Sequence, residues 1–255
     1  MASTFHVEHF GCRAARADGE AVSGRLCAAE FCDAGSEAAD VVVVNTCSVT
    51  AEADRAARAF IRRTHRLNPM ARIVVTGCYA QRAPEELVGL KGVAAVVGNS
   101  HKALAPEIIL RLSATRASSI APQGLVSAES LLSGCVRPGQ APIWADDRFA
   151  YSFLGEAQIV PSVQTRPNLK IQEGCGNRCS FCVIPQTRGP SRSLPTASVL
   201  RQVEGFVAAG GNELVLSGIN LGRWGRDLSD SDGANKPSLA GLMQEIFART
   251  ELKRL

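Results

Sequence analysis

Cys175, Cys179 and Cys182 form a C-x3-C-x2-C loop directly after Asn168-Leu169-Lys170-Ile171-Gln172, a run that reads as a β-strand. Three thiolates at this spacing can each take one iron of a 4Fe–4S cube from a single short loop, leaving the fourth iron open. Zinc, or thiols that merely fill a core, are the alternatives. A structural zinc site takes four protein ligands, however, and no fourth Cys or His lies nearby in sequence. Phe181, directly before the last cysteine, supplies the aromatic surface expected where an adenine packs beside a cluster.

Cys12, Cys47 and Cys78 are scattered, yet each sits at the end of a predicted strand. In a parallel sheet the C-terminal strand ends lie along one edge, where such folds bind ligands. On the residues alone, these cysteines are as well read as three unrelated thiols as one shared metal site. Cys27, Cys32 and Cys135 have no such placement and read as bystanders.

Placing the cysteines requires strands and helices in alternation. Phe5 to Phe10, Asp40 to Asn45, Arg72 to Thr76 and Ala94 to Val97 have strand character. Val41-Val42-Val43-Val44 in particular has the unbroken β-branched run of a strand buried on both faces. Helical patterns follow the first, second and fourth of these, to about Glu30, over 51–67 (stopped by Asn68-Pro69) and over about 100–112. The alternation predicts an α/β fold with a doubly wound parallel sheet.

From Ser113 to Arg166 the periodicity dissolves into Ser, Ala, Pro and Gly, which reads as a linker or surface insertion. Alternation then returns, with strands at 168–172 and 213–217 and helices at 196–209 and 238–249. Leu252 to Leu255 would open a third strand. The expected division is 1–112, 113–166 and 167–255. The last part holds the first β/α units of an incomplete barrel, so the chain reads as truncated.

The chain has 255 residues, of which 45% are hydrophobic and 20% charged, the composition of an ordinary globular protein. No stretch has the apolar length to span a bilayer, and the N-terminus lacks a signal peptide, so a cytoplasmic protein is expected. In a reducing cytosol, nine cysteines argue for metal binding or catalysis over disulfides. A net charge of +4 is compatible with RNA without arguing for it. Arg55, Arg58, Arg62, Arg63 and Arg66 recur at helical spacing, a pattern that grips phosphates but more often makes a solvated face. Four histidines show no ligand spacing, and no phosphate-binding loop, hydrolase elbow or dinucleotide fingerprint occurs.

Gly11-Cys12, Asn45-Thr46-Cys47-Ser48-Val49-Thr50 and Thr76-Gly77-Cys78-Tyr79-Ala80-Gln81 resemble the N-terminal domain of radical-SAM methylthiotransferases. Leu169 to Pro185, with Arg188-Gly189-Pro190-Ser191-Arg192-Ser193, is similar to the start of their catalytic barrel. Gly218 to Asp227 is most similar to the branch acting on N6-threonylcarbamoyladenosine at position 37 of tRNA. The resemblance implies two 4Fe–4S clusters, with chemistry carried by the clusters and not by a side chain. Cys175, Cys179 and Cys182 would hold the one that binds and cleaves S-adenosylmethionine. Cys12, Cys47 and Cys78 would hold an auxiliary cluster that presents the sulfur. Phe181 and Ile184 would flank the cofactor's adenine, while Ser217, Gly218 and Asn220 would contact the cofactor. The implied partners are the tRNA anticodon loop and an electron donor such as flavodoxin or ferredoxin, with the enzyme a monomer. Isopentenyladenosine in tRNA or a ribosomal protein are the alternative substrates. A cluster-bearing electron-transfer protein or an inactive fragment is the reading from another class.

Overall fold

The computed structural model describes residues 3–114, 140–152, 166–228 and 236–255. The first sheet is built from β1 (Thr4–His9), β2 (Cys32–Asp33), β3 (Val41–Thr46), β4 (Arg72–Gly77), β5 (Val93–Gly98) and β6 (Ile143–Trp144). All are parallel, in the order β2-β1-β3-β4-β5-β6. The order reverses between β1 and β3, which makes the C-terminal edge there the crevice where open α/β sheets place ligands.

The valine run of β3 explains the layers, because successive side chains leave opposite faces of a strand. Val41 and Val43 join Phe5, Val74 and Val97 beneath α1 (Arg13–Ala28) and α5 (Ala105–Ala114). Val42 and Val44 join Ile73, Val75 and Val96 beneath α2 (Ala51–Leu67), α3 (Cys78–Arg82) and α4 (Pro84–Val88). The helix predicted over 51–67 is observed, capped by the Thr50 hydroxyl accepting from the Ala53 N–H at 3.2 Å. Glu52 and Asp54 in its first turn and Arg66 in its last suit the helix dipole.

The second sheet runs β8-β7-β9, from β7 (Asn168–Glu173), β8 (Arg192–Ser193) and β9 (Val215–Gly218). β7 and β9 are parallel, whereas β8 folds back antiparallel on β7. α6 (Ile184–Arg188) follows the cysteine loop, while α7 (Thr196–Ala208) and α8 (Leu239–Arg249) cover this sheet through Val199, Val203, Phe206, Leu242 and Ile246. The third strand expected at the C-terminus begins as a parallel bridge between Glu213 and Arg254.

The sequence did not suggest β2, β6 or β8, each two residues long and too short to show a period. Residues 140–152, expected as linker or insertion, are packed onto the first sheet through Ile143 and β6. Among the described residues, no helix is long and apolar enough to cross a membrane.

Candidate cluster-binding sites at two strand edges

Cys12, Cys47 and Cys78 lie at the C-terminal ends of β1, β3 and β4, on one edge of the six-stranded sheet. Cys12 caps α1 and is exposed; Cys47 and Cys78 are buried. A Cβ on Gly11 would lie 3.7 Å from the Cys47 Sγ, so the β1 and β3 ends nearly touch. Burial raises the Cys47 thiol pKa, backbone amides at Val49 and Cys12 oppose this, and the neighbouring Cys78 and Cys12 sulfurs add to it. The three thiols share one electrostatic neighbourhood. Cys32 pairs with Thr4 at the opposite end of β1, Cys27 ends α1 far from Cys12, and Cys135 lies outside the described residues.

Side-chain bonds hold this edge. Thr46 Oγ1 donates to the Thr76 carbonyl at 2.5 Å and accepts from the Ala80 N–H at 3.4 Å, tying the β3 end to α3. Arg82 on α3 donates to Ser48 Oγ and to Asp54, both at 2.7 Å, which ties down the loop after Cys47. Gly77, directly before Cys78, has φ +100°, and a Cβ there would meet the Thr46 carbonyl oxygen at 2.3 Å. Only glycine fits that turn.

The second set is local. Cys175, Cys179 and Cys182 occupy the loop from β7 to α6 and are half-buried or exposed. Gly174 takes φ +69° where a Cβ would strike the Pro190 carbonyl oxygen at 2.0 Å, again immediately before a cysteine. The Cys175 N–H donates to the Gly189 carbonyl at 3.0 Å and the Cys182 N–H to that of Cys179 at 3.1 Å. Phe181 stands 92% exposed, and Ile184 is half-buried at the start of α6. Asn220 donates from Nδ2 to the Cys175 Sγ at 3.6 Å. Ser217 is buried with its hydroxyl donating to the Leu169 carbonyl at 3.4 Å, and Gly218 lies against Gln172 at the β9 end. The buried Gln172 organises this corner, donating to the Glu173 and Gly174 carbonyls and accepting from the Asn220 N–H at 2.7 Å.

Among the described residues, no three Cys, His, Asp or Glu side chains converge on a point fit for one ion. A cube differs in that each thiolate binds its own iron, so ligands stand apart around it. A donor set of three sulfurs at each edge, with no carboxylate or imidazole completing it, fits such clusters.

Between the two edges lies a group of residues that sequence reasoning missed. Asp18 of α1, Lys102 after β5, Lys170 and Glu173 of β7, and Arg188 of α6 are all buried. Arg188 Nη1 donates to Glu173 at 2.8 Å and to Asp18 at 3.1 Å; Lys170 reaches Glu173 at 2.6 Å, and Lys102 reaches Asp18 at 3.3 Å. Lys102 also pairs with Glu173, and Lys170 with Asp18. Although burial favours the neutral acid, the surrounding cations hold the Glu173 carboxyl well below its usual range. The available signal was three polar residues, Lys170, Gln172 and Glu173, in a strand otherwise suited to a core.

The fold is a parallel α/β sheet followed by a second, smaller sheet, with three cysteines at the edge of each. Residues 4–98 match the family described as Uncharacterized protein family UPF0004. The chain is 36% identical over 224 residues to the threonylcarbamoyladenosine tRNA methylthiotransferase of Bacillus subtilis, covering 86% of this chain and 43% of that protein. The corresponding enzyme of Aquifex aeolicus is 38% identical over 189 residues, covering 74% of this chain and 41% of its own. A ribosomal protein uS12 methylthiotransferase of Chloroflexus aurantiacus is 33% identical, covering 95% and 50%. The chain is thus similar to these methylthiotransferases and spans about half their length. A solved radical S-adenosylmethionine methyltransferase, TsrM from Kitasatospora setae, superposes with a TM-score of 0.55 at 16% identity, over 87% of this chain and 50% of that one. That likeness shows the shared fold.

Proposed function

We propose that the protein carrying this sequence is a radical-SAM methylthiotransferase that modifies tRNA in the cytoplasm, adding a methylthio group to C2 of N6-threonylcarbamoyladenosine at position 37. The supporting observation is the juxtaposition of two cysteine triplets at neighbouring sheet edges, in a chain whose relatives include threonylcarbamoyladenosine tRNA methylthiotransferases. Cys175, Cys179 and Cys182 would hold one 4Fe–4S cluster with an open iron, and Cys12, Cys47 and Cys78 a second. With S-adenosylmethionine bound, the clusters supply one-electron cleavage and sulfur-transfer chemistry.

The chain's own residues set the geometry. Gln172 fixes the first turn of the cysteine loop and orients Asn220, whose amide donates to the Cys175 sulfur. Phe181 would offer an open aromatic face and Ile184 an aliphatic one for an adenine, while Ser217 and Gly218 end β9. The tRNA anticodon loop and a flavodoxin- or ferredoxin-like electron donor are the partners of this reading, with the enzyme acting as a monomer.

A second substrate has its own support, since relatives named for ribosomal protein uS12 align over 95% of the chain. Deleting the encoding gene separates the two. Mass spectrometry of digested tRNA should lose the methylthio derivative of threonylcarbamoyladenosine, while uS12 keeps its mass. Loss of a methylthio mark from uS12 with tRNA unchanged would overturn the tRNA assignment.

A further inference from the structure

In the buried charge group between the two cysteine edges, one member has donors that no hydrogen bond uses. The group contains three cations, Lys102, Lys170 and Arg188, and two carboxylates, Asp18 and Glu173. Taking charge out of water is costly unless an opposite charge lies alongside. Arg188 has buried donors left over for a further anion. The residue is 1% exposed. Its Nη1 serves both carboxylates, while Nε and Nη2 are buried with no hydrogen-bond partner. Two forked donors left unpaired at that depth are expensive in an isolated protein.

The missing partner lies toward Cys78. α6, which ends at Arg188, packs against α3, which begins at Cys78. Asn99 bridges them, its Nδ2 donating to the Cys78 Sγ at 3.3 Å and to the Thr187 carbonyl at 2.8 Å, one residue before Arg188. Burial disfavours the guanidinium, yet its pKa stands well above the ordinary value, with Cys78 ahead of Glu173 and Asp18 among the groups responsible. On its other side Arg188 holds Glu173, two residues before Cys175. Arg188 thus pairs with a residue two before Cys175 and directly follows the residue that Asn99 ties to Cys78.

We propose that Arg188 is a positioning residue for the cluster at Cys12, Cys47 and Cys78, its two unpartnered guanidinium nitrogens directed at the sulfur of Cys78 and the anionic group it ligates. The inference rests on the proposed function, which supplies that cluster. Its consequence is electrostatic, because charge and hydrogen bonds at the ligating sulfurs help set a cluster's reduction potential. A donor cation at Cys78 favours the reduced, more negative state.

The test uses the full chain carrying C175A, C179A and C182A, so that only the Cys12, Cys47 and Cys78 cluster forms. After anaerobic reconstitution with iron and sulfide, its midpoint potential is read by an EPR-monitored titration with dithionite. Arg188→Gln keeps Lys102 and Lys170 paired with both Asp18 and Glu173, so the variant should fold and melt near the parent. Its reduction equilibrium should shift at least about tenfold against reduction, about 59 mV for one electron. Arg188→Lys, which returns the charge without the fork, should recover part of that shift. Arg192→Gln, removing a half-buried arginine that faces Glu173 and Asp227, should leave the potential in place.

An unchanged potential in R188Q, or an equal shift in R192Q, would overturn the inference and leave the proposed function standing. Failure of R188Q to fold would also overturn it, since the charge would then be needed by the network itself. A parent background that binds no iron would instead sink the proposed function, and this inference with it.

Discussion

The two cysteine sets reach the same ligand count by opposite routes. Cys175, Cys179 and Cys182 lie within eight consecutive positions of one loop, whose interior is open to solvent. Cys12, Cys47 and Cys78 come from three strand ends, and the last two are buried. The loop needs only its anchors, Gly174 and Gln172, to be shaped. The scattered site exists only if β1, β3 and β4 pair in register and α3 starts where Gly77 turns the chain. Local ligand sets are encoded by spacing, whereas distributed ones are encoded by a whole fold.

The largest test of that contrast is to remove each set in turn. Reconstituted anaerobically, the parent should bind about eight irons, two cubes. Replacing Cys175, Cys179 and Cys182 by Ala should leave about four, and so should replacing Cys12, Cys47 and Cys78. If the second triple variant kept the parent's iron content, the scattered cysteines would be unrelated thiols and the symmetry of the two edges accidental.

A smaller effect separates the routes by their backbone. Gly77→Ala forces a Cβ onto the Thr46 backbone at a positive φ, and should destabilise the protein by about 1–3 kcal/mol. Gly176→Ala, inside the cysteine loop, meets nothing within 4 Å and should change the urea midpoint little. Similar losses from both substitutions would show that the loop is as tightly determined as the sheet edge.

The same division explains what the sequence revealed. Val41 to Val44 announced a strand buried on both faces, and Asn68-Pro69 marked the end of α2, because each signal is carried by adjacent residues. The C-x3-C-x2-C loop was legible for the same reason. Cys12, Cys47 and Cys78 became candidates only through the rule that parallel strands share a C-terminal edge, and the residues alone left unrelated thiols as an equal reading. The network of Asp18, Lys102, Lys170, Glu173 and Arg188 was out of reach. Its members are up to 170 positions apart, and a lysine or an arginine in sequence gives no sign that it will be buried. Likewise Ile143 and Trp144 form β6 only because β5 offers an open edge.

The finest distinction between the two regions concerns pH. All four histidines, His6, His9, His65 and His101, belong to the part of the chain that builds the six-stranded sheet. Burial, reinforced by Arg16, lowers the pKa of His9, which lies at the end of β1 with Nδ1 unpartnered. Burial lowers His101 as well, against the pull of Asp146. Both imidazoles therefore take up a proton more readily in the unfolded chain than in the folded one. Stability from these groups is fully present above the unfolded value near 6.5 and is lost as pH falls through the lower folded values. Lys102, lowered to about 8, titrates above this window, and the buried carboxylates titrate below it. Segment-resolved hydrogen exchange at pH 7.5 and 5.5, corrected for intrinsic rates, should show a small loss of protection in β1, β3 and β4 and none in β7 and α7. Replacing His9 and His101 by Asn should flatten the difference. Equal loss in both regions would mean that they open as one unit, with the buried charges between them coupling the two sheets too tightly for either to respond alone.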